Sequence, residues 1–291
     1  MRYNLGFLPS SLKFDSQCFL EVLTLTYFTF WGVRGSIPIA KSSHLHFGGN
    51  TICSEFSTDK VQIFLDAGSG FINANVSRDK PVIILFSHFH HDHIQGLLFN
   101  PDLFSRRGNV FLSTALCSKT ELLETLDRYY GGRLFPEAFD KMTQNVTFLE
   151  FSEIQSVIGS ETEVLSLALH HPGGCSGYRI HNSSLSVSNL LDNEYFGGQK
   201  QVLCDFVENS DLVLWDAMYT DKELKEKSGW GHSSIEQGLR FSEVADISKL
   251  ALTHHCPTRT DEQLLGMDYF DAHGKCFWAK EHTSVNSLVA C

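Results

Sequence analysis

The sequence predicts an α/β fold in which strands and helices alternate and pack in layers. Short runs rich in β-branched and aromatic residues recur between residues 25 and 253, and longer segments with helical start signals lie between or after them. Strands interspersed with helices are typical of layered α/β proteins. The chain has 291 residues, of which 42% are hydrophobic, so it can bury a large core.

The predicted strands are short apolar runs bounded by turn-forming residues. The clearest run extends from Val82 to Phe86, is apolar throughout and follows Pro81. Such continuous runs are typical of strands that are buried on both faces. Together the runs predict strands at residues 25–31, 51–57, 61–65, 82–87, 109–113, 164–170, 184–191, 212–216 and 249–253.

Two of the predicted helices begin with clear signals. Ser233 and Ser234 are N-cap residue types, and Glu236 lies in the first turn that follows. Thr258 or Thr260 similarly precedes two acidic residues. Hydroxyl caps and early acidic residues stabilise a helix start because they bind its free N–H groups and its positive dipole end. The predicted helices cover residues 119–130, 234–245 and 260–270.

We expect one domain over residues 25–291 and an N-terminal extension over residues 1–24, because the pattern of strands and motifs begins near Tyr27. The apolar run at 18–31 is interrupted by Glu21 and is too short to span a bilayer, and the N-terminal segment lacks the features of a signal peptide. The eight cysteines form no C-x-x-C pair, which argues against a zinc ribbon and a disulfide framework. The sequence therefore predicts a cytoplasmic protein without membrane contact.

The charge balance disfavours a large polyanionic partner. Lys and Arg number 23 and Asp and Glu number 34, so the net charge is −11. Proteins that bind extended nucleic acid usually offer a basic surface to the phosphates. We therefore expect a small substrate that meets only a local cationic pocket.

The most informative stretch runs from His88 to His93 and reads His-Phe-His-His-Asp-His. It directly follows the apolar run, and residues 88 and 90 of an extended segment point to the same side, so two imidazoles can bind one ion. Asp92 and His93 come where the chain turns and can reach a second ion. Ligands usually lie at this end of strands in α/β proteins. The spacing predicts a metal centre, with a surface histidine tract that binds metal adventitiously as the alternative.

This spacing resembles the signature of the metallo-β-lactamase superfamily, and further motifs follow a similar order. They are WGVRGSIP at 31–38, HFGGNT at 46–51, FLDAGSG at 64–70, HPGGCSGYR at 171–179, WGHSS at 230–234 and LTHH at 252–255. In order and spacing they are similar to the phosphodiesterase branch, which includes ribonuclease Z, cyclic nucleotide phosphodiesterases and phosphoribosyl cyclic phosphate phosphodiesterases. The resemblance covers about residues 27–273. It implies a four-layer αββα sandwich, with two β-sheets face to face and helices outside.

The resemblance also implies two divalent metal ions held by seven side chains. The first ion would take His88, His90 and His171, the second would take Asp92, His93 and His254, and Asp192 would bridge both. Nitrogen and carboxylate ligands suit zinc, and manganese or iron(II) fit the same set.

Some of these assignments leave alternatives open. We prefer His171 to His170 because it falls just past a strand and precedes the glycine-rich run. Asp192 follows Leu191 where the branch usually has Thr or Gly, so Asp205 and, less plausibly, Asp216 are alternative bridges. The carboxylate of Asp66 either orients a ligand histidine or caps its own turn.

The expected catalytic residues are Asp92, His232 and Asp216. His232 resembles the histidine that ribonuclease Z-like enzymes use near the scissile phosphate, and Asp216 matches its acidic partner; a histidine held by a carboxylate suits a general acid. The alternative for the motif around His232 is a capped helix start with an incidental histidine. Arg34 is expected to bind a substrate phosphate or, equally, to form an ion pair that fixes the first hairpin.

The predicted function is metal-dependent hydrolysis of a small or cyclic phosphodiester by a hydroxide held between the two ions. Alternative functions are hydrolysis of thioesters or lactones, tRNA 3′-end processing, and metal-dependent binding without turnover. Processing of tRNA would need a basic, glycine-rich arm, and no such insertion is visible in the sequence. Relatives of this kind are often dimers, so we also expect a homodimer.

Overall fold

Two β-sheets packed face to face form the centre of the structure, a computed structural model that describes residues 26–104, 109–267, 269 and 274–286. The predicted N-terminal extension, residues 1–24, lies outside the described residues. The strands are β1 Tyr27–Gly32, β2 Cys53–Ser57, β3 Gln62–Leu65, β4 Val82–Phe86, β5 Val110–Thr114, β6 Val146–Phe148, β7 Glu163–Leu169, β8 Cys175–His181, β9 Ser186–Leu190, β10 Leu212–Asp216, β11 Leu250–Thr253, β12 Cys276–Trp278 and β13 Thr283–Asn286. Within this described part, they form a seven-stranded sheet in the order β13-β1-β2-β3-β4-β5-β6 and a six-stranded sheet in the order β12-β11-β10-β9-β8-β7.

Nine α-helices in the described residues lie between the strands in sequence, and the two longest pack against the outer faces of the two sheets. Their bounds are α1 His91–Ile94, α2 Pro101–Phe104, α3 Lys119–Tyr130, α4 Phe139–Met142, α5 Gln155–Ile158, α6 Lys200–Val207, α7 Asp221–Leu224, α8 Ile235–Val244 and α9 Asp261–Leu265. Leu122 and Leu126 of α3 share a buried cluster with Ile84 of the first sheet. Ile235 of α8 shares another with Trp215 of the second sheet.

A third buried cluster fills the space between the sheets. Phe30 and Leu85 come from the first sheet, and Tyr178 and Leu214 come from the second. Side chains alternate across a strand, so each sheet can face the other sheet with one side and a helix with the other. This packing confirms the predicted α/β class and the four-layer αββα sandwich. In the described ranges, no helix combines the length and apolar character that crossing a bilayer requires.

Several elements differ from the sequence-based expectation. The predicted helix at 260–270 ends at Leu265, before Gly266. Strand β8 was not predicted, although it pairs along its length with β7 and with β9. Strands β6, β12 and β13 and helix α6 were also not predicted, because each is short or carries no clear periodic pattern.

The carboxyl ends of the parallel strands of both sheets lie at one edge of the sandwich. Strands β3, β4 and β5 are parallel to one another, and so are β9, β10 and β11. Residues that follow these strands are therefore brought together where loops of the two sheets meet. This is the edge at which α/β proteins usually bind ligands.

Buried hydrogen bonds join the two sheets at this edge. The Tyr178 hydroxyl of β8 donates to the Phe86 carbonyl oxygen of β4 at 2.8 Å and accepts from the Ala115 N–H at 2.9 Å. The Ser176 N–H donates to the Ser87 carbonyl oxygen at 2.9 Å. These bonds hold the end of β4 against the second sheet. The end of β4 leads into residues 88–93, which we call the histidine segment.

Replacing Tyr178 with phenylalanine should lower the free energy of unfolding by about 1–3 kcal/mol, because the Ala115 N–H loses its partner and the Phe86 carbonyl oxygen keeps only the Thr114 hydroxyl. Urea unfolding monitored by circular dichroism measures the change. The control is Tyr129→Phe, whose hydroxyl contacts His91 at the surface and whose loss should change stability by less than about 0.5 kcal/mol. Equal stability of the Tyr178 variant and the wild type would contradict this role of the hydroxyl.

Candidate metal centre

Histidine and aspartate side chains converge where the parallel strands of both sheets end. His88 follows β4, Asp192 follows β9, and His254 follows β11. Because β9 and β11 belong to the second sheet and β4 to the first, the cluster lies between the sheets. Strand β7 is followed by His171, which approaches from the outer strands of the second sheet.

The first group of potential ligands consists of His88, His90 and His171. One ring nitrogen from each of them lies within 4.8 Å of those of the other two. The Nε2 atom of His171 is 3.0 Å from Nδ1 of His90. The neighbouring His170 is exposed, so the structure places His171 and not His170 in the cluster.

The second group consists of Asp92, His93 and His254. The Oδ2 atom of Asp92 lies 3.5 Å from Nε2 of His93 and 3.4 Å from Nε2 of His254. All three side chains are buried, whereas His91 between the two groups in sequence is exposed. The first turn of α1 therefore directs Asp92 and His93 inward and His91 outward.

The carboxylate of Asp192 lies between the two groups. Its Oδ2 is 3.1 Å from Nε2 of His93, and its Oδ1 is 3.3 Å from Nε2 of His254, 3.7 Å from Nε2 of His171 and 4.0 Å from Nε2 of His88. This is the position that a bridging ligand requires. The alternative Asp205 is exposed on α6, where it accepts a hydrogen bond from Gln201, so the structure does not bring it to the cluster.

Hydrogen bonds orient several of the potential ligand side chains, in the two histidines through the second ring nitrogen. The Nδ1 atom of His93 is 2.8 Å from Asp66 Oδ2, and the Nδ1 atom of His171 is 2.7 Å from the Gly231 carbonyl oxygen. The Ser36 N–H donates to Asp92 Oδ2 at 2.6 Å. Partners of this kind fix the tautomer and the ring orientation of ligand histidines. Asp66 also accepts from the N–H and the hydroxyl of Ser87, so the same carboxylate tethers the start of the histidine segment.

The backbone is left-handed at three of the residues that follow the strands. The φ angles are 61° at Asp66, 55° at Asp192 and 56° at His254. Residues other than glycine adopt this region infrequently, and it costs free energy that the surrounding structure must supply. These turns direct each side chain back toward the space between the sheets.

The buried donor atoms of the cluster fit a divalent metal ion. Within the described part of the chain, Nε2 of His88, His93 and His254 and Oδ2 of Asp192 are buried and have no hydrogen-bond partner. The 3.1 Å separation of His93 Nε2 and Asp192 Oδ2 satisfies the distance of an ion pair but not the alignment of a hydrogen bond. Buried polar atoms are normally paired. Burial also holds the pKa of His88 well below its usual value, which favours the neutral imidazole that binds metals.

A further histidine lies beside the cluster. The Nδ1 atom of His232 is 2.7 Å from Asp216 Oδ2, and the imidazole stacks on that of His254 with 4.9 Å between ring centroids. Burial alone would lower the pKa of His232, but the charge of Asp216 and its hydrogen bond raise the pKa to about 9. The Asp216 carboxylate is fully buried, and Ser233 and Ser234 place the histidine immediately before α8.

Arg34 does not face the cluster, which corrects its prediction as a substrate-binding residue. The side chain is fully buried and bonds to the carbonyl oxygens of Gly48 and Arg259 at 2.7 and 2.8 Å. It also donates to the Cys256 carbonyl oxygen at 3.4 Å and forms an ion pair of 3.2 Å with Asp261. Arg34 therefore holds the loop between β1 and β2 against the segment that leads into α9. This fits the ion pair that the sequence analysis gave as the alternative role.

Sequence reasoning missed the groups that contact the cluster through backbone atoms. The Ser36 N–H and the Gly231 carbonyl oxygen belong to motifs that the sequence identified, but a backbone bond has no residue type that predicts it. It also missed Glu194, which accepts backbone hydrogen bonds from Gly229 and Gly231. The only sequence signal for Glu194 is an acidic residue two positions after Asp192.

Sequence comparisons find a family model and a relative that match this chain. A sequence model described as the Beta-lactamase superfamily domain matches residues 62–255. The relative described as "Probable metallo-hydrolase YhfI", from Bacillus subtilis (strain 168), is 25% identical over 205 residues, which are 68% of this chain and 77% of that protein.

Solved structures share the architecture. The metallo-beta-lactamase fold protein YhfI from Bacillus subtilis superposes with a TM-score of 0.66 at 18% identity, covering 90% of this chain and 99% of that chain. A diphosphatase from the PhnP family gives 0.63 at 14% identity, covering 90% and 97%. Human tRNase Z, short form, gives 0.61 at 13% identity, covering 90% and 99%. At these identities the likeness shows a common fold.

Replacing His88 or Asp92 with alanine should abolish metal binding and turnover, because each change removes a buried ligand. Elemental analysis of the purified variants measures the metal content, which we expect to be about two ions per chain in the wild type. The matched control is His170→Ala, which removes the exposed neighbour of His171 and should leave the metal content unchanged. A full metal complement in both ligand variants would show that this cluster is not the metal centre.

Proposed function

We propose that this chain, which belongs to the beta-lactamase superfamily, is a metal-dependent hydrolase of small or cyclic phosphodiesters. The match over residues 62–255 carries the family membership, and the cluster of histidines and carboxylates supports metal dependence. The observation that favours a phosphodiester is the pair of His232 and Asp216 beside that cluster.

In the proposed reaction, bound cations supply the charge and the side chains of the cluster position them. Two divalent cations held by the cluster would activate water for attack and neutralise charge on the phosphate. The ligand side chains would hold these cations at the edge of the sandwich, between the two sheets, and the substrate phosphate would bind to the cations there. Asp192 fixes the separation of the two ligand groups because its oxygens approach both.

His232 is suited to protonate the leaving oxygen. Asp216 accepts from Nδ1, so Nε2 is the atom that remains to hold and release a proton. The imidazole is adjacent to one histidine of each ligand group, with ring centroids 4.9 Å from His254 and 5.3 Å from His171. An alkoxide is a poor leaving group without a proton, whereas a thiolate, with a pKa near 8.5, leaves readily. The pair therefore supports a phosphodiester over a thioester.

The net charge of −11 supports a small substrate. Binding of tRNA depends on neutralising many phosphates with lysine and arginine, and its affinity falls steeply as salt rises. A small or cyclic phosphodiester carries one negatively charged phosphate, so only a local positive charge is needed to bind it. The likeness to a PhnP-family diphosphatase is consistent with a small phosphate-containing substrate, and the likeness to human tRNase Z corresponds to the alternative of tRNA processing.

Replacing His232 with alanine should slow cleavage of cyclic nucleotides by a factor of about 10²–10⁴ and leave the metal content unchanged, because the general acid is lost while the ligands stay. The loss should be much smaller with bis-p-nitrophenyl phosphate, whose leaving group departs readily as an anion. Steady-state kinetics with both substrates, together with elemental analysis, measure these effects.

The control for this prediction is His181→Ala, which changes a half-buried histidine at the far end of β8 that pairs with Glu163. It should leave both rates unchanged. Undiminished cleavage of cyclic nucleotides by the His232 variant would contradict the proposal, as would equal losses with the two substrates. A panel that includes a thioester, a lactone and precursor tRNA tests the wild type for the alternative functions.

A further inference from the structure

A single carboxylate holds the loop that leads to His232. The Oε1 atom of Glu194 accepts from the Gly229 N–H at 2.7 Å, and its Oε2 accepts from the Gly231 N–H at 2.9 Å. The Ser228 hydroxyl lies 3.4 Å from Oε1. Glu194 therefore spans residues 228–231, which we call the glycine loop.

The glycine loop adopts left-handed backbone angles that glycine permits. Hydrogen bonds to Glu194 hold it in this conformation. The φ angles are +83° at Gly229 and +84° at Gly231, in the region that residues with a Cβ rarely adopt. A Cβ atom at Gly231 would lie 2.2 Å from Nδ1 of His171, so the loop packs directly against this histidine. Flexible glycines lose more conformational entropy on ordering than other residues, and charge-assisted bonds from Glu194 offset that loss.

The glycine loop contacts the potential metal ligand His171 and leads directly to the proposed general acid His232. The Gly231 carbonyl oxygen is 2.7 Å from Nδ1 of His171 and so directs Nε2 of this ring toward the ligand group. The next residue in the chain is His232. An error in the position of Gly231 would therefore tilt a metal ligand and displace the histidine beside Asp216.

The backbone around Glu194 is itself attached to the cluster. The Glu194 N–H donates to the His170 carbonyl oxygen at 2.8 Å, and the His170 N–H donates to Asn193 Oδ1 at 2.9 Å. The Tyr195 N–H donates to the Ser233 hydroxyl at 3.1 Å. The segment that begins at Asp192 thus links the end of β7 to the start of α8, with the carboxylate of Glu194 at its centre.

We propose that Glu194 is a positioning residue that holds the glycine loop, and through it His171 and His232, in the arrangement that the site requires. The effect through His171 concerns metal binding and does not depend on the substrate. The effect through His232 rests on the proposed phosphodiesterase function. The two effects can therefore be tested separately.

The substitution Glu194→Gln is the sharpest test, because it preserves the size of the side chain. A glutamine amide has one acceptor oxygen, and its NH₂ group can only donate. One of the two loop N–H groups would then face a donor. We expect zinc affinity to fall about tenfold, within the range that loss of partners oriented around metal ligands produces. Competition with a chromophoric chelator measures this without any substrate.

The same variant should lower kcat about tenfold on a cyclic nucleotide, assayed with saturating zinc, and leave KM within about twofold. Glu194→Ala removes both acceptors and should have the larger effect on both quantities. The control is Glu226→Gln, which makes the same charge change at an exposed residue whose side chain forms no hydrogen bond with the described residues. It should match the wild type in zinc affinity and in kcat.

The route through His232 is tested in the double variant. If Glu194 acts through His232, Glu194→Gln should cost less than about twofold in kcat when His232 is already alanine. If the loss of kcat in the double variant equalled the product of the losses in Glu194→Gln and His232→Ala, this route would be overturned. Wild-type zinc affinity in Glu194→Gln would overturn the route through His171. If the wild type cleaved no phosphodiester, the proposed function would fail, and the zinc measurement would still decide the role of Glu194.

Discussion

The site depends on hydrogen bonds that fasten the two sheets together at one edge. Tyr178 and Ser176 of β8 bind the end of β4, and that end leads directly into the histidine segment. Ligands from β4 belong to one sheet, and Asp192 and His254 belong to the other, so neither sheet could form the cluster alone. Sliding of one sheet over the other by about 1 Å would pull each ligand group apart, because each combines residues that follow β4 with a histidine from the second sheet. The hydrogen bonds of Tyr178 and Ser176 oppose such sliding.

Burial of charge is the second constraint on the site. Asp66, Asp92, Asp192 and Asp216 are all buried, and like charges in such surroundings repel strongly unless cations balance them. Burial alone would raise the pKa of Asp192, but the neighbouring histidines, His254 and His93 first among them, hold it well below its usual value. The arrangement is costly for a folded chain on its own. It becomes favourable when divalent cations neutralise the carboxylates, so a site of this kind couples metal binding to stability.

The sequence predicted those parts of the structure that depend on local pattern. The class of fold followed from alternating apolar runs, and the spacing from His88 to His93 identified one half of the candidate cluster, because ligands close in sequence need no knowledge of tertiary structure. His171, Asp192 and His254 were assigned through a family resemblance, and the structure brings them to the same place. Two roles stayed open for Arg34, a substrate phosphate and an ion pair, because residue type alone cannot distinguish a phosphate from a buried carboxylate and carbonyl oxygens as its partner. Backbone partners such as Gly231 were beyond sequence reasoning, since any residue carries them.

The left-handed backbone at Asp192 and His254 limits how this centre can be re-engineered. Glycine, asparagine, aspartate and histidine adopt such dihedral angles more readily than other residues, and β-branched side chains adopt them least readily. Exchanging these ligands to favour a softer metal would therefore require more than a suitable donor atom, because cysteine at either position would also have to accept an unfavourable main-chain geometry. The positions at His88 and His90, which lie outside the left-handed set, offer the wider choice for altering metal selectivity.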